Sequence, residues 1–226
     1  MKTFLDRPKR IKVIACATVI EEMLPFMPVD IAYATLDFGL HSNPDILRHT
    51  LQQAVDRVGK ECDAIVLGYG LCAQAIVGLR AENSALVIPR VDDCIALFLG
   101  SRDAYIEQLR AEPGTYYFTK GWIETGSSPF REYERVVAKY GEARAQRIMK
   151  LLLHNYTRLA FINTGLCDLE RYREYSRIIA ERFQLRYEEI QGSTTLLRKM
   201  LFGPWDDEFV IVRPGETVSY QDFILV

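Results

Sequence analysis

No stretch of this 226-residue chain approaches the roughly 18 consecutive apolar residues that a membrane-crossing helix needs, so no membrane association is expected. Charge of one sign is equally scarce. The 28 Lys and Arg nearly balance the 30 Asp and Glu, leaving a net charge of -2. With a pI near 6.0, the chain as a whole offers no attraction for nucleic acid. Low-complexity tracts are missing too, and a composition of 49% apolar and 26% charged residues is that of a globular chain. Its length suits one large domain or two small lobes with a sizeable core. No apolar run of signal-peptide length follows the basic residues near the N-terminus, and the cytoplasm is the expected location.

Familiar catalytic signatures are also absent. There is no Walker Gly-Lys-Ser/Thr, no His-Glu-x-x-His, no Ser-His-Asp order and no close Cys-x-x-Cys pair. Only three histidines occur, His41, His49 and His154. His49 falls on an expected helix and His154 near the end of another, where structural roles dominate. His41 lies in the loop Gly39-Leu40-His41-Ser42 after a strand, and it is the one histidine placed to act as a ligand or base.

What the chain does have is alternation of short apolar runs with amphipathic stretches, the α/β pattern. Strands are expected at Ile11–Ala15, Asp30–Asp37, Asp63–Gly68, Ala85–Pro89, Thr115–Thr119, Leu159–Asn163, Leu185–Ile190 and Phe209–Val212. Helices are expected from Asn43-Pro44 to Gly59, over 93–110, over 130–154 with a break near Tyr140-Gly141, over 169–183 and over 194–202. The fold class is α/β: mostly parallel sheets in two Rossmann-like lobes, helices on both faces, with pseudo-symmetry between the halves a possibility. Residues 1–114 would form the N-terminal lobe and 115–226 the C-terminal one, with a single compact domain as the alternative. The halves share a phrase, since Gly70-Leu71-Cys72 and Gly165-Leu166-Cys167 each follow an apolar strand.

Four of the five cysteines occupy one kind of position. Cys16, Cys72, Cys94 and Cys167 each follow a strand as it runs into a loop. In an open α/β sheet the carboxyl ends of parallel strands line the ligand crevice, so thiols remote in sequence can meet there. In a reducing compartment that pattern points to metal binding or redox chemistry ahead of disulfides. A zinc ion or an iron–sulfur cluster is the expected cofactor, with Cys16, Cys72, Cys94 and Cys167 as ligands. The bland alternative is that each is a small buried hydrophobe at a strand end. Cys62, ahead of its strand, reads as structural.

Two of the thiols also qualify as nucleophiles. In Pro89-Arg90-Val91-Asp92-Asp93-Cys94 an Asp cap would put Cys94 in the first turn of a helix, where the dipole and Arg90 favour the thiolate. Gly68-Tyr69-Gly70 would bare Cys72 on a tight turn. The same two glycines invite a phosphate-binding reading, but Ala73 replaces the third glycine and no acidic residue closes the next strand. Gly68, Gly70, Arg90, Asp93 and Lys120 are the candidates for holding a small-molecule ligand or cofactor. Lys120 belongs to the aromatic stretch Tyr116–Glu124, which reads as a pocket wall or an inter-lobe seam.

Through Gly68–Cys72, Pro89–Cys94 and Thr115–Trp122 the chain resembles a family catalogued only as a domain of unknown function, whose members are often encoded near corrinoid-dependent methyltransferases. The resemblance spans most of residues 10–215. It implies a setting in one-carbon or corrinoid metabolism, and assigns no activity or catalytic residue. Three functions follow. The first is a thiolate metal- or cluster-binding protein of methyl-transfer or redox chemistry, with its site in the inter-lobe crevice. The second is a metal-free enzyme with Cys94 or Cys72 as nucleophile. The third is a non-catalytic partner or chaperone of a corrinoid protein or methyltransferase. Homodimerisation is an expectation from base rates alone.

Overall fold

Segments with the longest apolar runs become the middle of a parallel sheet, because strands covered on both faces need no polar alternation. The structure, a computed structural model, describes residues 10–125, 128–166 and 168–224. Strands β1 (Ile11–Cys16), β2 (Ala32–Leu36), β3 (Ala64–Gly68) and β4 (Ala85–Pro89) pair in parallel in the order β2-β1-β3-β4. β3 and β4 are buried at every residue, whereas the edge strand β2 is largely open. A second sheet takes β5 (Thr115–Phe118), β6 (Arg158–Asn163) and β7 (Arg186–Gln191), also parallel and in sequence order. The fold is therefore mixed α/β, with helices packed around two mostly parallel sheets, as the sequence pattern predicts.

Helix boundaries follow from capping chemistry. The Asn43 side chain accepts the Ile46 N–H to open α2 (Pro44–Val58), and Asp93 and Ser101 do the same for α3 (Cys94–Leu99) and α4 (Arg102–Ala111). Gly141, at φ +78°, separates α6 (Pro129–Tyr140) from α7 (Glu142–Leu152), where the sequence predicts an interruption. The remaining helices are α1 (Ala17–Met23), α5 (Lys120–Thr125), α8 (Glu170–Arg182) and α9 (Thr195–Phe202).

One strand arrives from far away. β8 (Phe209–Val212) joins the first sheet beside β4 and runs antiparallel to it, with Leu86 opposite Val212 and Pro89 opposite Phe209. Segment 115–226 thus contributes to both sheets. The two Gly-Leu-Cys turns also differ in backbone. In the first, Cys72, Ala73 and Gln74 have positive φ; in the second, Gly165 and Asp168 do.

The second sheet is covered on both faces. Along β6 the side chains alternate, so Ala160 and Ile162 join the core around the first sheet while Leu159 and Phe161 face a second, aromatic core. That second core stacks Phe118, Phe130 and Phe183 edge-on or tilted, at 5.6 and 5.1 Å between neighbouring ring centres.

A buried carboxylate ties the halves together. Glu22 on α1 is 0% exposed; its Oε1 accepts the Gly121 N–H at 3.0 Å and its Oε2 the Thr164 hydroxyl at 2.8 Å. Gly121 must be glycine there, since a Cβ would stand 2.5 Å from the Thr18 carbonyl oxygen. Replacing Glu22 by Ala should leave both donors buried and unpaired, at about 1–3 kcal/mol each. We expect urea denaturation of Glu22→Ala to show a lower midpoint by that order, with Glu22→Gln recovering part of the loss. An unchanged midpoint would mean the bridge is not stabilising.

Candidate functional site

The carboxyl ends of β1, β3 and β4 are drawn together by close backbone approach. Gly68 ends β3, and a Cβ there would lie 2.4 Å from Ala15 Cβ and 3.0 Å from Val19 Cγ1. At Gly70 a Cβ would meet the Val91 carbonyl oxygen at 2.6 Å and the Asp93 nitrogen at 2.9 Å. The loop after β3 then bonds to the loop after β4, with Leu71 N donating to Val91 O at 2.9 Å and Cys72 N to Asp92 O at 3.0 Å. Both glycines are thus accounted for by protein packing against protein. No helix follows them, since residues 72–78 form a run of turns, so the phosphate cradle of a dinucleotide site lacks its helix N-terminus.

Three cysteines stand at or just beyond these strand ends. Cys16 is the last residue of β1 and the N-cap of α1, where its side chain makes no capping hydrogen bond. Cys94 opens α3 and is buried, and Cys72 is partly buried on the turn between them. Burial dominates their ionisation. Burial is the main force raising the Cys72 thiol, followed by the charges of Cys16 and Asp93. Cys94 is raised by burial, then Cys16, Asp93 and Cys72. Tyr69 is raised by burial and then by the charges of all three cysteines. Burial pushes Cys16 up to about 11.

The direction of these shifts corrects one expectation. The start of α3 was expected to favour the Cys94 thiolate, but removing the sulfur from water outweighs the helix N-terminus. Arg90 gives no help. Its Nε donates to the Asp207 carbonyl at 3.0 Å, Nη2 to that of Phe209 at 3.3 Å and Nη1 to that of Asp222, so it clamps the C-terminal segment. Asp93 is likewise engaged, accepting from Ile95 N at 2.8 Å and from the Tyr105 hydroxyl at 2.7 Å. Lys120 pairs with Glu21 on α1 at 3.7 Å, and so lies at the seam between the halves.

The backbone around Cys72 is strained. Cys72, Ala73 and Gln74 take φ values of +43°, +55° and +66°, three consecutive non-glycine residues in the left-handed region. Each such residue costs roughly 1–2 kcal/mol, a strain that concentrates at functional sites.

Sequence reasoning placed His41 near this site but missed what surrounds it. His41 stacks on Phe38 at 5.1 Å and on Tyr69 at 5.8 Å, and Phe38 in turn meets Trp122 edge-on at 5.0 Å. His41 Nε2, the Tyr69 hydroxyl and Trp122 Nε1 are all buried without a hydrogen-bond partner. Burial lowers the His41 pKa, which keeps the ring neutral. The one signal for Tyr69 was an aromatic residue enclosed by two glycines at a strand end.

Other candidates lie elsewhere. Cys62 sits before β3, its sulfur directed at the Val58 carbonyl oxygen, in the structural role expected of it. His49 pairs with Gln53 and His154 with Asn155, both on open surface. Cys167 lies outside the described residues. Among the described residues no group of three or more His, Cys, Asp or Glu side chains could hold a metal ion. No helix of the described residues is long and apolar enough to cross a membrane.

Residues 35–201 match the family model described as "Protein of unknown function (DUF1638)", and the chain belongs to that family. The match includes the Cys72 turn, the Cys94 helix and the strand of the Cys167 loop. No curated protein matches the chain.

The raised thiols make stability depend on pH. An unfolded cysteine ionises near its ordinary value of 9.0, while folded Cys16 holds its proton to about 11. Between those values the folded state binds more protons, so stability falls as pH rises from about 9 to 11. We expect the urea midpoint to drop across that window, and the slope to flatten in Cys16→Ala. An identical slope in the variant would show that Cys16 does not hold its proton more tightly when folded.

Proposed function

We propose that this protein is a cytoplasmic thiolate-based metal- or iron–sulfur-binding protein, with Cys16, Cys72, Cys94 and Cys167 as the sulfur donors. The observation that supports this reading is that Cys16, Cys72 and Cys94 stand at or just beyond three neighbouring strand ends of one sheet, with Cys16 and Cys94 buried. A soft cation would reverse the thiol chemistry, because its charge offsets the desolvation that holds each proton on sulfur. Because the donors are not arranged in advance, binding must draw them inward, and Cys72 on its strained turn is the donor with least regular structure to break.

When bound, a metal of this kind supplies Lewis acidity, and a cluster supplies electron transfer. The protein's own part is to hold sulfur donors in a water-poor site and to place Tyr69 and the seam residue Lys120 nearby. A setting in corrinoid methyl-transfer metabolism, with a corrinoid protein or methyltransferase as partner, rests on the family resemblance alone. The metal-free nucleophile reading is weaker, since no cation beside Cys72 or Cys94 offsets burial.

The test is elemental analysis and absorption spectroscopy of protein purified without oxygen. We expect stoichiometric zinc or iron, and its loss in Cys16→Ala, Cys72→Ala and Cys94→Ala. Metal content near zero in a wild-type protein that stays folded after anaerobic incubation with Zn²⁺ or Fe²⁺ would overturn the proposal.

A further inference from the structure

Helices α6 and α7 pack on each other as a hairpin, while α8 packs on β6 and β7. Aromatic contacts join the hairpin to the end of α8, where the Phe183 ring centre lies 5.1 Å from that of Phe130 and 5.3 Å from that of Tyr133. All three helices also line a cavity of about 1060 Å³ that opens to solvent. Phe130, Met149 and Ile179 in its lining are buried, whereas Leu152 on α7 and Ile178 on α8 are each just over half exposed. Large aliphatic side chains left in water on two walls of an apolar cleft are the mark of a binding surface, and the cleft has the size of a small-molecule site.

The charge in the lining is mostly of one sign. Arg131 and Arg135, four residues apart on α6 and so on one face, line it together with Arg182 of α8, against the single carboxylate of Glu134. Elsewhere on α8 the arginines are taken up by acids, Arg171 by Glu124, Arg173 by Glu189 and Arg177 by Glu170. Arg182 instead lies over the Tyr133 ring, 4.6 Å from its centre, and the Tyr133 hydroxyl donates to Glu142, which holds that ring in place. A guanidinium seated on an aromatic ring loses little freedom when its N–H fork takes a carboxylate.

We propose that this cavity binds an aliphatic monocarboxylate, with its chain against Phe130, Met149 and Ile179 and its carboxylate held by the arginines of the lining. Both halves of that ligand are needed. A purely apolar occupant would leave the cationic excess unanswered, and a small inorganic anion would leave Leu152 and Ile178 in water. Charge-assisted hydrogen bonds from arginine to a carboxylate are among the stronger polar contacts, so they fix orientation while the chain supplies area. The cavity shares no residue with the turns that carry Cys16, Cys72 and Cys94. This inference and the thiolate reading therefore stand or fall separately.

The experiment is calorimetric titration of the full chain with octanoate, decanoate and decyltrimethylammonium, alongside sedimentation velocity. Decanoate should bind more tightly than octanoate, by about threefold to fourfold for each added methylene, and the ammonium of the same chain length should not bind. Arg131→Gln and Arg182→Gln should each weaken decanoate binding about tenfold. Ile178→Trp, which fills the cleft from an exposed position, should block it, with circular dichroism confirming that all three variants fold. No decanoate binding at millimolar concentration, equal binding of the carboxylate and the ammonium, or unchanged affinity in the three variants overturns the proposal. So does a wild-type dimer that Ile178→Trp dissociates and decanoate does not, since the cleft would then belong to a second copy of the chain.

Discussion

Everything at the carboxyl face of this molecule depends on where α1 sits, and Glu22 is what holds it. The helix runs from Ala17 to Met23 with Cys16 as its N-cap, so a single buried carboxylate one residue from its end fixes the helix that Cys16 opens. Glu22 accepts from the first turn of α5 and from the loop after β6. A carboxylate without exposure is costly unless it is hydrogen-bonded, and here two donors from the other sheet supply that need. Gly121, pressed against the Thr18 carbonyl oxygen, adds steric definition to the same junction. At the far side the Ser193 N–H donates to the Phe98 carbonyl oxygen at 2.9 Å, so the loop after β7 meets the end of α3. The helices that begin at Cys16 and Cys94 are therefore both anchored to the second sheet.

That anchoring explains why strain is tolerated at Cys72. The left-handed run 72–74 lies between two fixed bodies, with its entry bonded to the loop after β4 and its exit at Ala75 bonded back to the Cys72 carbonyl oxygen. A turn closed at both ends can be held in an unfavourable backbone region, whereas a free loop would relax. The same closure buries the sulfur atoms, and burial rather than any charged neighbour dominates their ionisation.

Much of this was legible in the chain, because it rests on local rules. Continuous apolar runs identified β3 and β4, Asn43-Pro44 and Asp93 opened helices, and Gly141 divided α6 from α7. The position of Cys16, Cys72 and Cys94 at or beyond strand ends followed from the same reading. Long-range pairings were not legible. Nothing in Phe209–Val212 says that it runs antiparallel to β4, since a short apolar strand carries no sign of its direction. Arg90 looked like a partner for a thiolate, yet its fork is satisfied by carbonyls of residues 207, 209 and 222, which sequence proximity to Cys94 concealed. Glu22 and Tyr69 were missed for a related reason. Their roles exist only once distant loops fold over them.

The unpaired polar atoms and the neutral thiols are two sides of one electrostatic problem. A site this dry penalises any charge placed in it alone, which keeps sulfur protonated and imidazole neutral. It equally penalises a hydroxyl or a nitrogen lone pair left without a partner. A nucleophilic cysteine would need a nearby cation to lower its pKa, and Lys120 at the seam is already paired with Glu21. Water could satisfy the polar atoms but would do nothing for the thiols.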